Sequence, residues 1–198
     1  MQDHTNRPDA PTDVELVASM KQRETGALST LYDRHSRLVY SLALRIVQSS
    51  TDAEEITQDT FFQMWQQADR IDQRKGSVLA WLIVVTRSRA IDRLRSRKKL
   101  KAELSEDLLE RLDTFGAPNA WDQLDSLERT DIVKRALLEI PVEQREALEL
   151  AFYQGMSQAE IAAQLDEPVG TIKTRVRLGM KKLRESLAPY AGEYESSM

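Results

Sequence analysis

The sequence predicts an all-α protein of two small helical domains joined by a flexible acidic linker. Three observations carry that expectation. Gly and Pro are sparse, at 7 and 6 of 198 residues, while the helix-favouring Ala, Leu, Glu, Gln and Arg are plentiful. Apolar residues recur three and four apart, and no stretch alternates as a half-buried strand would. The charge is segregated, with two basic blocks flanking an acidic one.

The elements follow in order. Residues 1–12 are polar and Pro-containing and read as a disordered tail. A first domain is expected over residues 13–101. Within it Leu28, Leu31, Tyr32, Leu38, Leu42 and Ile46 form a helical stripe that ends at Ser49-Ser50-Thr51. Thr51 and Glu54 have the spacing of a capping box, which predicts a second helix. Its inner stripe is Ala53, Ile56, Thr60, Met64 and Trp65, with Phe61 beside it; Glu54, Glu55, Gln58, Asp59, Phe62 and Gln66 lie on the other face. Gly76 breaks the chain and Ser77 is the expected N-cap of a long helix from Val78 to about Lys99. Residues 102–125 form the acidic linker, with a short helix expected at Leu104–Leu112.

A second domain is expected over residues 126–187, with a helix near Ser126 and another starting at Pro141 and ended by Gly155. Ser157 and Glu160 repeat the capping-box spacing and open a short helix with Ile161, Ala162 and Leu165. Asp166-Glu167-Pro168 makes a turn, and a basic helix runs from about Val169 to Leu187. Residues 188–198 are a C-terminal tail.

Composition excludes several classes of chemistry. There is no Cys, so neither disulfides nor a Cys-based zinc site can form, and only His4 and His35 supply imidazoles. No metal site, cofactor or catalytic residue is expected. No apolar run is long enough to span a membrane, and the N-terminal residues lack the basic and apolar blocks of a signal peptide. A soluble, cytoplasmic protein without membrane insertion is expected.

The formal net charge of −4 argues against nucleic acid, but its distribution argues for it. Arg87, Arg89, Arg93, Arg95, Arg97, Lys98, Lys99 and Lys101 are opposed only by Asp92. Lys173, Arg175, Arg177, Lys181, Lys182 and Arg184 form a run without an acid. Glu103, Glu106, Asp107, Glu110, Asp113, Asp122, Asp125, Glu128 and Asp131 lie between.

Ser157–Leu183 has the pattern of a helix-turn-helix. Val169, Ile172 and Val176 form the inner stripe of its second helix, leaving Thr171, Lys173, Thr174, Arg175 and Arg177 near the end that enters the major groove in this motif. Arg and Lys there reach guanine edges or phosphates. The plainer reading is a helical hairpin with a solvated basic face, but such a face usually mixes signs. For the block at Arg87, the plainer reading is a helix C-terminus complemented by cations. Trp81 precedes that block and is either a core residue or a stacking platform for exposed bases. Asp52, Glu54 and Glu55 suit a helix N-terminus, whereas Phe62 on a polar face beside Gln58 and Gln66 points to a protein-docking anchor.

These segments resemble the sigma-70 family of RNA polymerase sigma factors. Asp52-Ala53-Glu54-Glu55-Ile56-Thr57-Gln58-Asp59-Thr60-Phe61 resembles the polymerase-core-binding segment. Trp81-Leu82, followed by Arg87-Ser88-Arg89-Ala90-Ile91-Asp92-Arg93-Leu94-Arg95, resembles the segment that melts and reads the minus-ten element. Pro141–Ala147, Tyr153–Ala162 and Val169–Arg175 resemble the domain that reads the minus-thirty-five element. The size, without an N-terminal extension or an intervening domain, resembles the extracytoplasmic-function (ECF) group. The chain departs at Ser88, where many members carry Asn, and at Gly179, where Ala is more usual and Gly is expected to loosen the helix slightly.

The resemblance implies a sigma region 2 helical bundle over 13–101 and a sigma region 4 helix-turn-helix domain over 126–187. Its implied partners are the β and β′ subunits of the bacterial RNA polymerase core, promoter DNA and an anti-sigma factor. Implied polymerase contacts are Asp52, Glu54, Glu55, Gln58, Phe61 and Phe62. Implied minus-ten contacts are Trp81, Arg87, Arg89, Asp92 and Arg95, and implied minus-thirty-five contacts are Thr171, Lys173, Thr174, Arg175, Arg177 and Lys181. Two other classes compete. A stand-alone helix-turn-helix regulator accounts for Ser157–Arg184 but not for the block at Arg87 or the capped helix before it. A nucleic-acid enzyme needs a carboxylate cluster or a nucleophile–base pair, and neither is evident in the sequence.

Overall fold

A computed structural model describes residues 10–72, 76–103 and 135–188. Among these residues the chain forms helices and no strand. The first unit holds α1 (Asp13–Lys21), α2 (Thr25–Val47), α3 (Ser50–Gln66), a 3-10 turn at Ala68–Arg70, and α4 (Val78–Glu103). The second holds α5 (Val142–Tyr153), α6 (Gln158–Leu165) and α7 (Val169–Leu187). The expected helix at Leu104–Leu112, the start of the one near Ser126 and most of both tails lie outside the described residues, while residues 135–138 are helical.

Helix α1 is set by a full capping box at Thr12 and Glu15, a signal present in the sequence and passed over there. Its Asp13 is buried and accepts from Arg34 Nη1 at 2.8 Å, while His35 Nε2 lies 2.6 Å from its other oxygen. Helix α2 ends where Gln48 turns left-handed at φ 53°. Ser49 is then extended and accepts from the Asp52 amide at 3.4 Å, so Ser49 rather than Thr51 caps α3. The left-handed stop at Gln48 leaves only one extended residue before the next helix, and Thr51 falls inside it. Ser77 caps α4 as expected, accepting from the Ala80 amide at 3.2 Å, and the helix continues past Lys99 to Glu103.

The first core joins all four helices through Leu16, Met20, Leu31, Val39, Met64 and Leu82. Each such side chain taken fully out of water contributes about 1.5–3 kcal/mol. A second cluster, built on Ala43, Ile46, Ala53, Ile56, Ala90 and Ile91, continues along α2, α3 and α4. Thr57, Thr60 and Thr86 are buried at these seams. Their hydroxyls donate to the carbonyls of Ala53, Ile56 and Leu82 at 2.7–2.8 Å, so none of these three is stranded.

The second unit packs α5 on α7, with α6 crossing beneath around Leu150, Ile161, Ala162 and Ile172. Ser157 and Glu160 form the expected capping box. Gly179 is buried, and a Cβ there would stand 2.8 Å from Leu148 Cδ1, so glycine lets α5 and α7 approach.

Candidate functional site

Three surfaces carry the residues singled out in the sequence. The first is α3. Glu54, Gln58 and Phe62 stand in one exposed row, with the Phe62 ring 59% exposed. Beside them the α2–α3 groove is lined by Tyr32, Arg37, Tyr40, Glu54 and Gln58, and the α2 side of it was missed in the sequence. A tyrosine among the leucines of the predicted apolar stripe, Tyr32, was the available signal, and it is exposed. Phe61 points inward, 3% exposed, with its ring centroid 4.9 Å from that of Tyr32.

Asp52 and Glu55 face α4 instead. Arg93 donates to Asp52 at 2.9 Å and to Glu55 at 2.7 Å, and Arg97 reaches Asp52 at 3.0 Å. Arg89 donates to Asp59 at 2.9 Å and to Gln63 Oε1 at 2.8 and 3.1 Å. The hydrogen bond to Glu55 first, and the surrounding carboxylates after it, hold the Arg93 guanidinium above its ordinary pKa despite some burial. Residues four apart on α4 thus meet an acidic row three and four apart on α3, as the helical repeat dictates. One row of the basic block is therefore a helix-to-helix ladder.

The other row of α4 looks toward the second unit. Arg87 donates to the carbonyls of Ala151 and Phe152 at 2.7 and 3.0 Å, and Arg95 donates to the Gly155 carbonyl at 2.9 Å. Trp81 is half-buried against the first core, and Asp92 is exposed. Ser88 is exposed between the two rows.

The third surface is α7. Lys173, Thr174, Arg177 and Lys181 are exposed on one side, while Thr171 is half-buried near the helix start. The Thr174 hydroxyl donates to the Gly170 carbonyl at 2.9 Å, and Lys181 stands 3.7 Å from Glu185. Arg175 is drawn back: it donates to Glu167 at 2.8 Å, across the turn between α6 and α7. That turn is tight, with Asp166 left-handed at φ 52° and Pro168 capping α7. The Ser157 amide and hydroxyl, then Arg95 and Lys98, hold the Glu160 carboxyl below its ordinary pKa. Among the described residues no cluster of His, Asp or Glu could hold a metal, and no helix is long and apolar enough to cross a membrane.

Comparison with known proteins agrees with this layout. The sigma-70 region 2 family model matches residues 31–100, and the sigma-70 region 4 model matches residues 130–183. The first match covers the helices that a stand-alone helix-turn-helix regulator leaves unexplained. The ECF RNA polymerase sigma factor SigK of Mycobacterium sp. (strain KMS) is 30% identical over 188 residues, covering 91% of this chain and 93% of the relative. SigK of Mycolicibacterium vanbaalenii is 33% identical over 172 residues, 87% of each chain. Among solved structures, Rhodobacter sphaeroides SigE in complex with the anti-sigma ChrR is similar with a TM-score of 0.44 and 23% identity, over 87% of this chain and 96% of that one. With both regions matched in order and relatives aligned along most of its length, this chain belongs to the sigma-70 family, in the ECF group of RNA polymerase sigma factors.

Proposed function

We propose that the chain brings core RNA polymerase to specific promoters and helps to open them, with its three surfaces dividing the work. The α3 row of Glu54, Gln58 and Phe62, with the Tyr32–Arg37–Tyr40 groove, docks on the β and β′ subunits. Phe61 braces that row from inside, and Asp52 and Glu55 hold α4 at its angle to it. On α4, Trp81, Arg87, Asp92 and Arg95 meet the melted minus-ten strand, and Arg89 positions the helix. On α7, Lys173, Thr174, Arg177 and Lys181 enter the major groove of the minus-thirty-five element beside Thr171, with Arg175 fixing the turn behind them. In this reading the domains span residues 13–101 and 126–187. The chain works in the cytoplasm by binding alone, with no reaction of its own, and an anti-sigma factor restrains it.

The observation that carries this reading is the α7 face, where Lys173, Arg177 and Lys181 project to solvent behind a capped, tightly turned short helix. That is the geometry in which a recognition helix presents its N-terminal half to base edges. Run-off transcription with purified core polymerase on genomic templates tests it. Discrete starts that share an upstream and a downstream element are expected, and an absence of factor-dependent starts would overturn the proposal.

A further inference from the structure

Beyond its core side, helix α4 is covered on two flanks. Arg89, Arg93 and Arg97 tie one flank to α3. Arg87 and Ile91 meet the second unit on the other, where a Cβ on Gly155 would stand 2.5 Å from Ile91 Cγ2. Between these flanks Ala80, Val84, Ser88 and Asp92, each four residues after the last, form an exposed strip, and Arg95 and Lys99 continue it. Trp81 borders the strip, half-buried against the first core. Val84 is 67% exposed, more than Phe62 at 59%. A single apolar residue in solvent is ordinary. What sets Val84 apart is that stability does not account for it. A β-branched side chain loses rotamer freedom in a helix, so Val is a poorer helix former than Ala. At this exposure it recovers little by burial. Its neighbours one turn away are Trp81, three positions before, and Ser88, four after, so the three side chains project from adjoining positions on one face.

We propose that Val84 is a specificity-determining residue of the minus-ten contact, its methyl groups meeting the C5-methyl of a thymine in the melted strand. The inference deepens the assignment of α4 to the minus-ten strand and rests on it. The chemistry of the strip selects the ligand. Ala80, Val84 and Ser88 carry no charge, and Asp92 repels phosphate. On the strip, cations begin only at Arg95, roughly 16 Å beyond Val84 at about 1.5 Å per residue. A strand whose phosphates follow the cations therefore turns bases, not backbone, toward Val84. An unpaired base stacks readily on an aromatic ring, which Trp81 supplies at the border. Among the four DNA bases thymine alone carries an apolar substituent, its C5-methyl, and apolar side chains are the partners of that group. Valine has no hydrogen-bonding atom in its side chain, so it favours this methyl and leaves the amino group of a cytosine at the same place without a partner.

The test uses the full chain assembled with core polymerase, on a promoter mapped by run-off transcription. Each minus-ten thymine of either strand is replaced in turn by deoxyuridine, which lacks only the C5-methyl. Open-complex formation at limiting holoenzyme is measured with the parent and with Val84→Ala. One replacement should weaken the parent complex about fourfold, the factor for one methyl group taken from water. Val84→Ala should weaken the unmodified promoter by a similar factor, and the same replacement should then have no further effect. A deoxyuridine penalty of equal size in both proteins overturns the proposal, as does the absence of a penalty at every position. Val84→Ala should leave thermal melting of the free protein unchanged or raise it slightly, because Ala is the better helix former. A clear fall in melting would make Val84 a structural residue and overturn the assignment. Permanganate footprinting of the holoenzyme carrying Arg87→Ala and Arg95→Ala tests α4 separately. If that variant opens the promoter normally, the minus-ten reading of α4 fails and Val84 with it. If it does not, and the deoxyuridine penalty is indifferent to Val84→Ala, only the role of Val84 falls.

Discussion

Arg175 and Arg177 flank Val176 on α7, yet the fold treats them differently. Arg175 is part-buried and bonded to Glu167, whereas Arg177 is exposed. The sequence sets Arg175 with Lys173 and Arg177 among the major-groove contacts because it counts positions from the helix start and cannot see the acid across the turn. The pair is partly solvated, with side chains 22% and 34% exposed, so its contribution is about 0.2–1 kcal/mol. Arg175→Ala should therefore lower the melting temperature measurably and weaken all upstream sequences alike. Arg177→Ala should leave stability within about 0.5 kcal/mol and weaken upstream engagement. Thermal melts beside promoter-library transcription separate the two; unchanged melting with altered preference at a single base would return Arg175 to a reading role. Asp13 gives a second residue-scale expectation. Burial raises its pKa, but the bonds and charges of His35 and then Arg34 outweigh burial, and the net shift is downward. A depressed folded pKa means the unfolded chain takes up the proton first. The contribution of Asp13 is thus present above the ordinary aspartate range and is lost as pH falls through its lower folded value. Asp13→Asn should cost on the order of 1–3 kcal/mol at neutral pH, and the difference from the parent should shrink in acid. Urea melts at neutral and acidic pH measure this, and a constant difference would show that the charge of Asp13 does not matter.

At the scale of elements, the α3–α4 ladder decides which charges are structural. Arg93 holds Asp52, which is only 15% exposed, and Glu55 in one fork. Arg93→Ala should destabilise the first unit by about 1 kcal/mol, and a double-mutant cycle with Asp52→Ala should show coupling of at least about 0.5 kcal/mol. Phe62→Ala, at a ring with no core role, should leave melting unchanged and weaken capture of core polymerase in a pull-down. A drop in melting for Phe62→Ala, or none for Arg93→Ala, would reverse the assignment of the two faces. This element shows where the sequence stops being legible. Helix existence was read from a cap and a periodic stripe together at Ser77 and at Ser157 with Glu160, but not at Thr12 with Glu15, where a short stripe of Leu16, Val17 and Met20 carried the same signal. The inner stripe of α3 was readable at Ala53, Ile56, Thr60 and Met64. The division of the Arg87–Lys101 block into two rows was not, because it depends on the angle at which α4 meets α3. The value of Gly179 was hidden for the same reason: its neighbour Leu148 comes from another helix.

At the scale of the whole molecule, an acidic chain must still find an anionic polymer. The net charge of −4 repels DNA at long range, but over distances beyond a Debye length of about 8 Å at physiological salt that field is largely screened. What a phosphate meets on close approach to α7 is local: Lys173, Arg177 and Lys181, all exposed and on one side. In the packed arrangement of the two units, Arg87 and Arg95 are engaged with carbonyls, so duplex binding by the free protein should come from α7 alone. Counterion release then fixes the salt dependence. Each phosphate neutralised contributes about −0.9 to the slope of log affinity against log salt, so contacts by these residues together predict a slope of about −3. Removing one should change the slope and not merely the affinity. Fluorescence anisotropy of a duplex titrated with the free protein at several salt concentrations gives the number. Lys181→Ala and Arg177→Ala should each flatten the slope by about 0.9, and Arg87→Ala should leave it unchanged. A slope that responds to Arg87→Ala but not to the α7 variants would mean that α4 is the accessible DNA surface in the free protein, and that α7 faces something other than phosphate.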